Sequence, residues 1–318
     1  MGSTSPKTLL EAIAYFQNPD NCREYMVPRR WANSVVTCPT CGTDRVKFQP
    51  QHNRWQCSVH HPKRQFTLKT GTIMEDSPIG LDKWLPAIWL LCSNRNGISS
   101  WELHRALGVT QKTAWFMLGR IRLAMQDEMN GGKMGGPGVE VEIDETYIGG
   151  KSRNMHANRK TGPGTGYKET VLGMIERGGK VRTLHVNGKG KPELQGHVRD
   201  HVAAGSAIFT DELKSYEGLS PEFQHAVINH AVEYVNGNVH TNTMENFWAL
   251  LKRNLKGTYI SVEPFHLFRY LDEQAFRFNN RLPMEDGDRF SYLVRKIVGK
   301  RLTYAQLIGH EIRPTEAF

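Results

Sequence analysis

The chain has 318 residues, of which 39% are hydrophobic and 23% charged, with a formal net charge of +9 and a pI of about 9.3. This is the composition of a globular protein with room for two or three domains. It excludes a membrane-spanning chain, because no apolar run reaches the roughly 18 residues that a spanning helix needs. Five cysteines in a chain whose first residues lack a signal-peptide core exclude a secreted disulfide scaffold, so a cytoplasmic location is expected. The positive excess points to a polyanionic partner, most often nucleic acid.

Residues 7–17, KTLLEAIAYFQ, place Leu9, Leu10, Ile13 and Phe16 at helical spacing, and NPDN reads as the stop. Cys38-Pro-Thr-Cys41-Gly42 brings two thiolates together around a tight turn. A hairpin is predicted over 45–56, after which Cys57-Ser-Val-His60-His61 opens a second knuckle. A C-x2-C…C-x2-H set makes a closed tetrahedral zinc site, structural in kind. His60 has that spacing and His61 is the competing choice. Arg45, Lys47, Arg54, Lys63, Arg64 and Lys69, interleaved with Phe48, Trp55 and Phe66, offer a surface suited to phosphates.

Residues 80–93 predict an apolar helix that contains Pro86. Ser100 then caps a helix with Leu103, Ala106 and Leu107 inward, and Gly108-Val109 makes a turn. Thr110 caps a second helix with Ala114, Met117, Leu118 and Ile121 inward. This is helix-turn-helix spacing, which a plain helical hairpin shares. In the first reading Gln111, Lys112 and Thr113, with Trp115, stand where a recognition helix meets base edges.

A Gly-rich linker at 131–138 marks a domain boundary. Beyond it VEVEIDETYIGG alternates, with Val139, Val141 and Ile143 on one face and Glu140, Glu142 and Asp144 on the other. Residues 151–168 form a basic, Gly-rich loop. ETVLGMIE, Gly178-Gly179 and KVRTLHV read as a hairpin. A helix is predicted over 192–203, AIFT is a strand that delivers Asp211, and HAVIN (225–229) is another strand. His240–Gly257 is a helix with Phe247, Leu250, Leu251 and Leu255 at helical spacing, Glu245 in its first turn, and Lys252 two turns on along the same face. From Pro264 the chain is helical, basic and aromatic. Three strands followed by alternating helices and strands is the order of a ribonuclease H-like α/β layer, a mixed sheet flanked by helices.

Asp144, Asp211 and Glu245 can then converge at one sheet edge. Three bare carboxylates there repel one another, and a divalent cation resolves the conflict. Oxygen-only ligands favour Mg²⁺ or Mn²⁺ over zinc. Two such ions about 4 Å apart serve in-line attack on a phosphodiester. Glu142 on the same face, Glu145 on the other, Glu212 and Asp200 read as solvated charges.

The run Ile143-Asp144-Glu145-Thr146-Tyr147-Ile148-Gly149-Gly150-Lys151, with Thr210-Asp211 and then His240-Thr-Asn-Thr-Met-Glu245-Asn-Phe-Trp248-Ala-Leu-Leu-Lys252-Arg253, resembles a DDE transposase of bacterial insertion sequences. The nearer group has an N-terminal zinc ribbon and is related to the Merlin transposons. Lys63-Arg-Gln-Phe-Thr, Gly71-Thr-Ile and Asp76-Ser-Pro are similar to the same group, and the resemblance spans residues 25–285. It implies a ribonuclease H-like catalytic domain in which Asp144, Asp211 and Glu245 hold two Mg²⁺ ions. It implies double-stranded DNA as partner, both element ends and target, and a homodimer or larger assembly that brings two ends together. Lys252, with Arg253 beside it, matches a basic position that touches a phosphate at the element end. The implied reaction frees a 3′-OH, which then attacks target DNA. The family carries a fourth ribbon cysteine where this chain has His60 or His61. The layout expected is an N-terminal helix and zinc ribbon (1–75), a helix-turn-helix domain (76–130), the linker, the catalytic domain (139–290) and a C-terminal tail (291–318). The alternative is a zinc-ribbon and helix-turn-helix DNA-binding regulator whose sheet domain is inactive.

Overall fold

The computed structural model describes residues 5–126, 132–149, 168–211, 213–220, 222–227 and 241–310. The chain divides into two compact units, Met1–Gln126 with Asn280–Phe318, and Asp127–Asn279. Most of the expected basic loop (151–167), His240, Glu212 and the last two residues of HAVIN lie outside the described residues.

The first unit opens with α1 (Leu9–Phe16), started by the Thr8 side chain, which accepts from the Glu11 N–H. The NPDN run does more than stop this helix. Asn18 caps the next one, α2 (Pro19–Arg30), by accepting from the Asp20 N–H, and Pro19 sits in the first turn, where a missing N–H costs nothing. Strands β1 (Val46–Gln49), β2 (Arg54–Cys57) and β3 (Gln65–Phe66) form a small antiparallel sheet. Trp55 at its centre stacks on Phe66, with centroids 5.8 Å apart. The apolar helix α3 (Leu81–Ser93) buries Trp84, Leu85, Ile88, Trp89 and Leu91. Then α4 (Ser100–Leu107) begins with a capping box of Ser99 and Glu102, one residue before the cap read from sequence. Gly108 turns the chain at φ 61°, and Thr110 caps α5 (Gln111–Met125). From Met117 to Met125 every residue of α5 is buried, so this helix is a core element of its unit.

Among the described residues of the second unit, the main sheet has five strands. They are β5 (Glu140–Ile148), β6 (Glu169–Glu176), β7 (Val181–Val186), β9 (Ala207–Thr210) and β10 (Gln224–Val227), in the order β10-β9-β5-β6-β7. The sheet is mixed. β9 runs parallel to both β5 and β10, and β6 runs antiparallel to β5 and β7. In the middle of the Gly-rich segment, β4 (Met134–Gly135) pairs in parallel with β8 (Val202–Ala203). Alternation divides the sheet's side chains between two faces. Val141, Ile143, Leu172, Met174 and Ile208 pack with α6 (Lys191–His201). Val171, Ile175 and Val181 pack with α7 (Asn242–Asn254) and α8 (Leu267–Asn279).

Gly257 does not stop α7 as its sequence position predicts. The helix widens into a π-turn over Leu255–Tyr259 that contains the glycine, and it ends at Ile260, with φ 63° and ψ −57°. A β-branched residue in that region stores about 1–3 kcal/mol of strain.

Residues 280–318 belong to the first unit, where α9 (Asp286–Lys296) places Phe290 against Phe16, Tyr25 and Trp89. The last short helix, α10 (Tyr304–Leu307), seats Leu307 over Gly119 of α5, where a Cβ would collide with it. No described helix is long and apolar enough to cross a membrane.

Candidate active site and metal cluster

Glu142 of β5 lies opposite Phe209 of β9 in a parallel register. Two residues further on, Asp144 stands in the middle of β5 and Asp211 directly follows the last residue of β9, close enough for each charge to act on the other. Asp144 is half-buried, and its carboxyl is pushed up to about 6, first by burial and then by the negative charges of Asp211 and Glu245. The Trp248 indole N–H, 3.0 Å from Asp144 Oδ2, and the Glu145 N–H, 2.8 Å from Oδ1, act in the opposite direction. The three acids chosen from sequence therefore share one electrostatic neighbourhood, with Glu245 exposed on the first turn of α7. Lys252 faces the same neighbourhood. Burial lowers its ammonium pKa, and the Asp144 charge works against that shift. Arg253 is exposed beside it.

Glu142 is not the solvated charge expected from sequence. It is fully buried, and its carboxylate accepts from the Thr243 N–H (3.0 Å), the Thr243 hydroxyl (3.0 Å) and the Met244 N–H (2.9 Å). Arg177 Nε lies 2.9 Å away on the other side. A carboxylate of the central strand thus caps the N-terminus of the helix that bears Glu245, where unpaired N–H groups and the helix dipole favour negative charge. Thr241, at the N-cap position of α7, makes no side-chain cap bond. Gly173 of β6 is paired with Asp144, and a methyl there would overlap Met244 and the Trp248 ring. Its bare Cα lets α7 lie close to the strand. Phe247 and Leu251 are buried beneath the helix and complete the anchorage.

Glu145, on the opposite face, is half-buried and not free in solvent as expected. The Tyr216 hydroxyl donates to it at 2.8 Å. Burial first, and then Asp211 and Asp144 acting against that hydrogen bond, push its carboxyl up to about 7. Sequence reasoning missed Glu142, Gly173 and Trp248. The only signal was position, since Glu142 precedes Asp144 by two on the same strand face and Trp248 follows Glu245 by one helical turn.

In the first unit the ligand atoms of Cys38, Cys41, Cys57 and His61 all lie within 4.8 Å of one another. Cys41 Sγ and Cys57 Sγ are 3.7 Å apart, and Cys38 Sγ is 3.4 Å from His61 Nε2. A tetrahedron built on a Zn–S bond of about 2.3 Å has edges of about 3.8 Å, so the separations fit the ion. The Cys3His cluster suggests a structural zinc site in a zinc ribbon. The histidine is His61, which corrects the choice of His60. Cys57 N–H bonds to Arg64 O at 2.8 Å, so 58–63 form a hairpin loop whose path turns His61 inward and leaves His60 exposed.

The residues expected to read bases at the start of α5 are engaged inside their own unit. Gln111 Nε2 donates to Ser100 Oγ at 2.9 Å, and Thr113 shares a 2.8 Å hydroxyl contact with Thr110. Lys112 is exposed, with its ammonium 4.7 Å from the centre of the Tyr304 ring of α10.

Residues 133–279 match the ISXO2-like transposase domain family. The chain is 27% identical over 240 residues to an uncharacterized protein in transposable element ISH50 of Halobacterium salinarum, an alignment covering 70% of this chain and 79% of that one. It is 33% identical over 102 residues to an uncharacterized transposase-like protein of Haemophilus influenzae, covering 32% of this chain and 82% of the relative. No solved structure matches the chain.

Proposed function

This chain belongs to the insertion-sequence transposases with an ISXO2-like domain, and we propose that it binds the ends of its element, cuts them and joins the freed 3′-OH to target DNA, with Asp144, Asp211 and Glu245 as the metal-binding acids. The observation that carries this reading is the shared neighbourhood of the three acids, in which burial first, and then the charges of Asp211 and Glu245, push the Asp144 carboxyl up to about 6. The strand order, with three antiparallel strands followed by two parallel ones on the other side of β5, supports reading the second unit as ribonuclease H-like.

The donor set is oxygen only, and its mutual repulsion needs a cation, which fits Mg²⁺ or Mn²⁺. Two such ions would neutralise the acids and stabilise the attacking and leaving oxygens of the phosphodiester. The chain's own residues supply position. Trp248 fixes one oxygen of Asp144, Glu142 fixes the start of α7, and Phe247 and Leu251 keep Glu245 on a packed helix. Lys252 and Arg253 offer positive charge to a DNA phosphate about two turns from Glu245.

In the first unit, α4 and α5 are proposed as a helix-turn-helix that meets DNA through Gln111, Lys112 and Thr113, and the ribbon as a zinc-held phosphate surface. His61→Ala is expected to weaken zinc binding by more than the ~10–100-fold that loss of an outer-shell partner costs, while His60→Ala retains the metal. Metal analysis with near-ultraviolet circular dichroism reads the difference, and equal zinc in both variants would reject the ligand set. Two DNA ends must be brought together, so at least a homodimer is proposed for the active assembly.

Mg²⁺-dependent cutting of duplexes carrying the element ends, followed by joined products with a target duplex, tests the whole reading. Binding of the ends with no cutting would leave the DNA-binding regulator, and cutting without joined products would leave a plain nuclease.

A further inference from the structure

The tip that follows α7 is strained, apolar and exposed, and nothing in the fold explains the residue found there. Ile260 is 82% exposed and has a positive φ, 63°, with ψ −57°. It forms the centre of a γ-turn closed by the Ser261 N–H on Tyr259 O at 2.6 Å. Glycine would hold this conformation without strain, and a polar residue would hold it without exposing hydrocarbon.

The turn is held firmly from below. The Tyr259 hydroxyl donates to Glu273, which is fully buried and paired with Arg277, and the Tyr259 ring packs edge-on to Tyr270 at 4.7 Å. Phe265, half exposed, lies five residues further on. Between 246 and 268 the sequence carries Lys252, Arg253 and Lys256 against one acid, Glu263. Arg253 and Lys256 are exposed on the turns that lead to the tip. An apolar point on a rigid mount behind a basic ridge fits a base step of duplex DNA better than a protein surface.

We propose that Ile260 is a wedge that unstacks a base step of the DNA engaged at the carboxylate site, an inference that rests on the transposase reading. Fifteen residues separate it from Glu245 (260 − 245), or about 22 Å along a helix. At about 3.4 Å per base pair, the affected step lies within about seven pairs of the reacting phosphate.

The test uses the full chain with Mg²⁺ and 2-aminopurine placed singly along an element-end duplex or along a target duplex. The unaltered protein is expected to raise fluorescence several-fold at one position, and the duplex that responds identifies which DNA is wedged. Ile260→Gly should lose that rise and lower the yield of joined product by ~10-fold or more, while its melting temperature holds or increases because the strain is relieved. Asp144→Asn should keep the rise, which separates the two ideas. If Asp144→Asn still cuts, the catalytic assignment fails, whereas an unchanged signal in Ile260→Gly overturns the wedge alone. The absence of any rise in either duplex also overturns it. So does an Ile260→Gly protein that has normal DNA signals but altered self-association in sedimentation, since the tip would then serve a protein interface.

Discussion

Asp144→Asn is expected to abolish strand cutting, by ~10³-fold or more, in a protein that still binds the element ends. Loss of one carboxylate from a three-acid set removes a metal ligand whose contribution is several kcal/mol of transition-state stabilisation, and each ~1.4 kcal/mol is tenfold in rate. Asparagine has the same shape and keeps one oxygen, which can accept from either the Trp248 indole or the Glu145 N–H but not from both as the carboxylate does, so most of the packing of α7 on β5 should survive. The loss of the other hydrogen bond is offset at neutral pH by the removal of a buried charge, so the stability of the metal-free protein should change little. Burial and neighbouring acids raise the Asp144 carboxyl to about 6 in the fold. The unfolded chain, with an ordinary value of about 4, gives up that proton sooner. Stability is therefore lost as pH rises from about 4 to about 6, and asparagine escapes that loss. Gel assays of cutting and end binding, with a melting curve at neutral pH, check all three expectations. Retained cutting would remove Asp144 from the chemistry.

Glu142→Ala is expected to have the largest effect on stability, a loss of about 3–5 kcal/mol, because it leaves a partly buried guanidinium and the start of a helix without their shared acceptor. Arg177 keeps Glu140 at 2.8 Å on its other arm, which favours the lower end of that range. Glu142→Gln should cost less, about 1–3 kcal/mol, since one oxygen still accepts from α7. Urea unfolding reads the loss as a lower midpoint at an unchanged slope. In folded Glu142→Gln protein, cutting should need more Mg²⁺ for half-saturation, because Glu245 is then less firmly held. A variant with wild-type stability and wild-type Mg²⁺ response would show that the cap has no bearing on the site.

The strands, and the closeness of Asp144, Asp211 and Glu245, were legible because their signals are local. The alternation of 139–148 assigns Asp144 to one strand face whatever packs there, and AIFT ends at Asp211 in either sheet order. Amphipathic spacing likewise placed Phe247 and Leu251 under Glu245. Helix α2 was not legible. Its residues PDNCREYMVPRR carry little periodic hydrophobicity, and NPDN serves equally as a stop and as a cap with a following proline. The base-reading face assigned to α5 was read from its first turn, whereas from Met117 onward the helix is enclosed on all sides.

The sequence by itself determined which chemistries are present, namely three acids, a thiolate-rich cluster and a basic surplus, because residue type and spacing carry that information. Tertiary structure alone decided how polar residues at similar sequence positions divide. Glu142 and Asp144 share a strand face, yet one lies under a helix N-terminus with its charge compensated and the other stands where the charges of Asp211 and Glu245 reach it. His60 and His61 are neighbours, and the path of one hairpin loop turns only the second toward the sulfurs. Period and propensity report that a face is polar. Whether that face meets water, a helix end or other charges depends on elements a hundred residues away in sequence, because desolvation and Coulomb energy are set by what packs in space.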